Sequence, residues 1–403
     1  MTGLLQGIRV ASFTHFVFGP MAAQILADLG ADVVMVEPPT GCWERTWAGA
    51  DTRRVDGQSV LFLAVDRGKR SVAVDLKAPE GLEVARRLVA ASDVLVTNYR
   101  PGVLDKLGLG YEALKPACPG LIYAVGSGYG ADGPYAERPG QDLLIQALSG
   151  LAAITGTRET GPRPVGVSAV DHHGAALLAL GILAALVRRA RTGEGCRVDT
   201  SLLASALDLQ MESLVCYLNG PRSQPVAPPR WIGGWHYAAP YGIYATADGH
   251  LAISLSSLQA VAAALDAPAI AAFDQGESYR RREEIAACIA KVLATRPTAD
   301  WTRALDRHNV WNAPVQDYDG LQEDPQVRHN GSLVTRPGAT GAPITLVGHP
   351  VRYDGATPEA NRPPQPLGAQ TAEVLAELGY APQAIAALEA KGVIRCHRPA
   401  PAP

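Results

Sequence analysis

The sequence predicts an α/β protein: a large domain on a mostly parallel, helix-covered sheet, with a smaller α+β domain after it. Three observations predict it. Strand-like and helix-like runs alternate through residues 7–128, 403 residues are long for one core, and a Pro- and Gly-rich stretch at 220–235 precedes a different, hairpin-led pattern.

In order, "GIRVASF" (7–13) reads as a strand. "PMAAQILADLG" (20–30) has helical spacing with Pro in its first turn and Gly at its end, and "ADVVMVE" (31–37) is a strand again. "RSVAVDL" (70–76), "EGLEVARRLVAAS" (80–92), "DVLVTNY" (93–99) and "GLIYAVGSG" (120–128) continue the alternation. A long apolar helix follows within 167–189. "TGEGCRVDTSLLASALDLQMESLVCYL" (192–218) gives a turn, a strand and an amphipathic helix, and "GPRSQPVAPPRWIGGW" (220–235) a connector. "PYGIYATADGHLAISL" (240–255) predicts a hairpin across "ADGH", with helices at about 257–272 and 278–295. Residues 345–368 read as an irregular return, 369–394 as two helices split at "GYAP", and "RPAPAP" as a frayed tail. The expected division is 1–200 large domain, 201–224 linker helix and connector, 225–330 small domain, and 331–403 return segment and C-terminal helices packed on the large domain.

Composition narrows function. Lys and Arg total 36 against 39 Asp and Glu, a net charge of −3, which lacks the basic face of a nucleic-acid binder. The uncharged run from Gly174 to Val187 is shorter than the ~20 residues of a membrane helix, and no signal peptide is expected. Six cysteines are scattered without a Cys-x-x-Cys pair, which suits a reducing cytoplasm and no structural zinc. No nucleic-acid or membrane partner is expected.

Most local motifs fail on context. "GYGADG" (128–133) matches a dinucleotide fingerprint but is followed by "PYAERPG", which cannot open the required helix, so neither nicotinamide nor flavin is expected. His172 and His173 point about 100° apart on a helix and have no ligand at i+4, so no metal is expected. There is no G-x-S-x-G. Asp171 remains, with two compatible readings: the N-cap of the apolar helix, or a reactive carboxylate that the helix holds. With a reference pKa of ~3.9 it is expected to be ionised at neutral pH and able to attack an activated acyl group without a base.

Several strings, in order over almost the whole chain, resemble the class III CoA-transferases, the family of formyl-CoA transferase, carnitine CoA-transferase and the α-methylacyl-CoA racemases. They are "GIRVASFTHFVFGPMAAQILADLGADVVMVE", "RGKRSVAVDLKAPEG", "VTNYRPGVLDKLGLGYEAL", "GYGADGPYAERPGQDLLIQALSGL", "VSAVDHHGAALLALGILAALVRRARTGEGCRVDTSLL", "APYGIYATADGHLAIS" and "PLGAQTAEVLAELGY". The resemblance implies a Rossmann-like large domain, an interlocked ring-like homodimer, coenzyme A as substrate and acyl carrier, and Asp171 as covalent nucleophile between an acyl-CoA donor and a carboxylate acceptor. It places CoA contacts on Val74, Asp75, Leu76, Lys77, Asn98, Tyr99, Arg100 and Lys106, and on the stretch from Pro139 that includes Gln141 and Asp142.

Departures from the family bear on substrate. The turn after the first strand puts Val17, flanked by Phe16 and Phe18, where formyl-CoA transferase has a glutamine, so formate and oxalate are not expected and a medium or branched acid is. The glycine-rich lid is not reproduced; "WIGGWHYAAP" is the nearest string, and Trp231 and Trp235 either shape an acyl pocket or pack a domain interface. Trp43, Glu44 and Arg45 either reach the acyl group or pantetheine or belong to a surface loop. The racemases carry a Gly-His-Asp string where this chain has Gln141 before Asp142, and Gln cannot transfer a proton, which favours transferase over racemase. A non-catalytic acyl-CoA binding relative is the third reading.

Overall fold

The computed structural model describes residues 3–47, 49, 54–220, 226–358 and 362–398. The tail from 399, and residues 221–225 of the connector, lie outside them. The chain forms two compact units. The first is Met1–Ile145, Ala169–Ser205 and Pro325–Pro403; the second is Gln146–Ser168 and Ala206–Asp324. Residues 146–168, expected within the N-terminal block, therefore belong to the second unit, and the segment from Pro325 returns to the first.

In the first unit, strands β1 (Arg9–Phe13), β2 (Asp32–Glu37), β3 (Lys69–Val74), β4 (Val94–Thr97), β5 (Ile122–Ser127) and β6 (Arg197–Ser201) pair in parallel. The second unit holds the antiparallel sheet β7 (Gly242–Ala245), β8 (His250–Ile253) and β9 (Asn312–Pro314). The return segment adds a hairpin, β10 (Leu333–Pro337) with β11 (Pro343–Val347), and a last short strand, β12 (Ile394–Arg395). The main sheet runs β12-β3-β2-β1-β4-β5-β6, with β12 antiparallel to β3 at one edge. The protein is thus a mixed α/β fold on a central, mostly parallel sheet.

Strands β1 to β5 are buried on both faces, as a parallel sheet with helices on it requires, whereas β6 at the sheet edge is largely exposed. Val10 pairs with Val33 on one side and Val94 on the other, and Val34, Val36, Val72, Leu95 and Phe13 share one core cluster. Val374, Leu375, Ile385 and Leu388 of the C-terminal helices Thr371–Glu377 and Pro382–Ala390 complete that cluster, each contributing roughly 1.5–3 kcal/mol by burial. An ion network ties the same helices to the sheet: Arg70, itself buried, bonds Asp32, Glu373 and Glu377.

The apolar run folds as a 24-residue helix, Ala169–Thr192, packed on the helix Phe18–Asp28 and on β5 and β6. It is long and apolar enough to cross a membrane. One side, carrying Val170, Gly174, Ala175, Leu178 and Ile182, is buried in the protein. Leu180 and Val187 on the other side are 61% and 62% exposed.

Candidate active site

The strand order changes direction between β1 and β4, which is where open parallel sheets take ligands beyond their carboxyl ends. The loops leaving these strands are held together by Asn98. Its Oδ1 accepts the His15 N–H at 2.9 Å and its Nδ2 donates to the His15 carbonyl at 2.9 Å. The amide lies over Gly19, where a Cβ would come within 2.7 Å of it. Asn98, expected to contact CoA, thus spends its side chain as a brace.

Phe18 is the second support. A Cβ on Gly126 in β5 would sit 2.5 Å from the Phe18 ring, and one on Gly174 would sit 3.1 Å from it. The ring is clamped between the sheet and the Asp171 helix, one turn beyond Asp171 itself. Phe18 is therefore a buried packing anchor, whereas Phe16 is exposed and Val17 partly so.

The third support sets the carboxylates. Gly128 and Gly140 cross so closely that a Cβ on Gly140 would lie 2.4 Å from the Gly128 Cα. This crossing delivers Asp142 to the start of the long helix, where its Oδ1 accepts the N–H groups of Val170 and Asp171 at 2.8 and 3.1 Å. Asp142 thus satisfies N-terminal amides that would otherwise be orphaned. Asp171 itself stands in the first helical turn, so the N-cap reading of Asp171 is corrected.

Asp171 is 9% exposed. Burial, with the nearby Asp142 charge adding, pushes its carboxyl up to about 7. The expectation of full ionisation at neutral pH is corrected accordingly: desolvation and a like charge outweigh the helix N-terminus, whose free amides Asp142 already occupies. No hydrogen bond from the described residues reaches the Asp171 carboxylate. The result is a desolvated, unbraced carboxyl on a rigid element, able to act as a nucleophile when ionised.

The profile for the family described as CoA-transferase family III matches residues 5–371. This chain belongs to CoA-transferase family III. It is a CoA-transferase, and 33% identical over 407 residues to succinyl-CoA:glutarate CoA-transferase of Mus musculus, covering 98% of this chain and 91% of that one. It is 31% identical to acetyl-CoA:oxalate CoA-transferase of Acetobacter aceti, covering 95% and 97%. The crystal structure of a CAIB/BAIF family protein from Brucella suis superposes with a TM-score of 0.81 at 31% identity, covering 94% of this chain and all of that one.

Within this family III chain the remaining positions divide by exposure. Lys77, Arg100, Lys106 and Gln141 are exposed, and Leu76 and Tyr99 are half-buried. The Tyr99 ring stacks on His15 with centroids 5.3 Å apart. Asp75 Oδ1 accepts the Lys77 N–H at 2.9 Å. Val74 is a core residue. Trp231 and Trp235 belong to the second unit. Trp235 is packed there with its Nε1 donating to Ser213 Oγ at 2.7 Å, and Trp231 has a left-handed φ of 71° and lies under Arg230. Among the described residues no group of three metal-ligating side chains comes together. Sequence reading missed the supports, Gly126, Gly174, Gly128 and Gly140; for Gly126 and Gly174 the signal was glycine inside a strand and a helix, which marks close approach without naming the partner, whereas Gly128 and Gly140 lie outside both.

Proposed function

We propose that this transferase moves CoA from a donor acyl-CoA to an acceptor carboxylate through covalent intermediates on Asp171. The Asp171 carboxylate attacks the donor thioester carbonyl, the C–S bond breaks, and CoA leaves as thiolate from a mixed anhydride. The thiolate then attacks the aspartyl carbonyl of that anhydride, forming an Asp171–CoA thioester and releasing the donor acid. The acceptor carboxylate attacks this thioester, giving a second anhydride and CoA thiolate. Attack of the thiolate on the acceptor carbonyl forms the new acyl-CoA and restores Asp171. Each step exchanges one activated acyl for another, so no external energy source enters.

The observation that carries the proposal is the Asp171 carboxyl: shielded, without a hydrogen-bond donor among the described residues, and pushed up to about 7. A carboxylate with that proton affinity is a better nucleophile than a solvated one and needs no general base. Lys77, Arg100 and Lys106 are exposed cations suited to the CoA phosphates, with Leu76 and Tyr99 as apolar flanks for adenine. Phe16 and Val17, beyond β1, serve as the lining on the acyl side. A homodimer is supported by apolar side chains left exposed within each unit: Leu180 and Val187 in the first, and Met211, Val215 and Leu218 in the second, on a helix, Met211–Asn219, none of whose residues is buried.

Initial rates measured with both substrates varied test the mechanism. Parallel double-reciprocal lines that vanish in Asp171→Asn support it. Intersecting lines, or product formed without an acceptor acid, contradict it. Deuterium entering the α-carbon from D2O with no acid exchange would replace it with racemase chemistry.

A further inference from the structure

Away from the Asp171 and Asp142 pair, buried ionisable groups gather around the short turn Trp43–Arg45 that follows β2. Arg45 is accounted for by packing: its Nε and Nη2 donate to Glu37 at 2.6 and 2.7 Å, and its guanidinium lies 3.9 Å from the Phe62 ring centroid. Glu44 is not accounted for in that way. It is 0% exposed, where a carboxylate is costly unless paired, yet among the described residues no cation bonds it. Its Oε2 accepts the Phe16 N–H at 3.3 Å, the Cys42 thiol approaches the carboxyl, its Oε1 is buried with no hydrogen-bond partner among the described residues, and its main-chain carbonyl accepts the Ser59 hydroxyl. Burial and the neighbouring Asp66 push its carboxyl up to about 7.

Phe16 is where the chain needs such a brace. Its φ of 63° lies in the left-handed region that a non-glycine residue occupies only when its surroundings hold it there. Asn98 fixes His15 on one side, the helix Phe18–Asp28 begins on the other, and the Phe16 amide between them goes to Glu44. The turned residue carries its ring outward, 43% exposed, edge-on to His15 at 4.8 Å and tilted on Trp43 at 4.7 Å. Trp43 continues to Trp47 at 5.8 Å, and both indoles are exposed.

We infer that Glu44 is a positioning residue: by accepting the Phe16 amide it holds His15, Phe16, Trp43 and Trp47 as one aromatic wall that takes the acyl tail and selects carboxylic acids with an apolar tail. The inference rests on the reading of Phe16 as acyl-side lining. A row of rings removes apolar area from water with the tail, and its few ring N–H groups, with no cation among them, replace little of a second carboxylate's hydration.

The test is isotope exchange between hexanoyl-CoA and ¹³C-labelled hexanoate, with glutaryl-CoA and labelled glutarate in parallel. The wild type is expected to exchange hexanoate with the lower KM. Glu44→Met should raise the hexanoate KM tenfold or more while kcat falls less than threefold. Glu44→Gln, which keeps an oxygen to accept the amide, should return KM to within threefold. Preference for glutarate overturns the substrate class. A loss of kcat with KM unchanged, or no rescue by Gln, overturns the positioning role. Phe16→Ala separates the two readings: an unchanged hexanoate KM there removes the pocket reading itself, whereas a raised KM there with none in Glu44→Met removes the inference alone. Hydrogen exchange of the wild-type enzyme, resolved at Phe16, needs no variant; the amide is expected to be protected at least a hundredfold, and exchange at the rate of an open loop overturns the brace.

Discussion

Asp171 and Asp142 divide one helix start between them, and the division explains both. Asp142 takes the free amides of Val170 and Asp171, so the charge that the helix end would have offered Asp171 is already used. In the proposed route only the ionised form attacks, so the donor half-reaction should rise with pH and level off above about 7, following the Asp171 carboxyl. Asp142→Asn keeps an oxygen for the two amides but removes the like charge, so that pH–rate curve should shift to lower pH. A shift upward would mean that Asp142 lowers rather than raises the Asp171 pKa. Asp171→Asn should reduce transfer by at least ~10³-fold, since no second nucleophile replaces it; residual transfer above about 10% in a rate assay would refute the assignment.

At the scale of elements, the Phe18 ring joins the helix it begins, β5 and the Asp171 helix. A methyl on Gly126 would lie 2.5 Å from that ring and one on Gly174 3.1 Å from it. Gly126→Ala is therefore expected to cost about 1–3 kcal/mol in denaturant unfolding. Gly174→Ala is expected to cost less than Gly126→Ala, because a helix-propensity gain of up to ~1 kcal/mol offsets part of the strain of pressing on the Phe18 ring and the Ser205 Oγ, each 3.1 Å away. Equal effects at the two sites would place the ring elsewhere. The same elements show what was legible beforehand. Alternation of "GIRVASF", "PMAAQILADLG" and "ADVVMVE" carries the β-α-β order because local propensity and burial agree there. The two-residue β12 and the Pro-bounded hairpin β10–β11 have no period to read and exist through tertiary pairing. Asp171 stood out because one acid precedes a long apolar run. Its cap, 29 residues upstream, did not, since no sequence spacing reports that Gly128 and Gly140 cross.

For the molecule as a whole, the shielded Asp171 carboxyl is a stability cost that its proposed role as nucleophile accounts for. Folded, it holds its proton to about pH 7; unfolded, it releases it near ~3.9. Between those values the folded state binds more protons, so stability falls as pH rises through that window. Asp171→Asn should therefore be about 2–4 kcal/mol more stable than wild type at pH 8 and no different near pH 4, as read by thermal or denaturant unfolding at the two pH values. In solution the protein is expected at twice the chain mass by light scattering, and Leu180→Glu together with Val187→Glu should shift it toward monomer; a wild-type monomer would contradict the dimer. The central claim is the covalent route through Asp171. Its most direct measurement is the intact mass of the wild type and Asp171→Ala after brief incubation with a panel of acyl-CoAs. A CoA-sized adduct that hydroxylamine removes and the variant lacks is the predicted result. Transfer that proceeds at full rate with no adduct on the wild type, or with the same adduct on the variant, would contradict it.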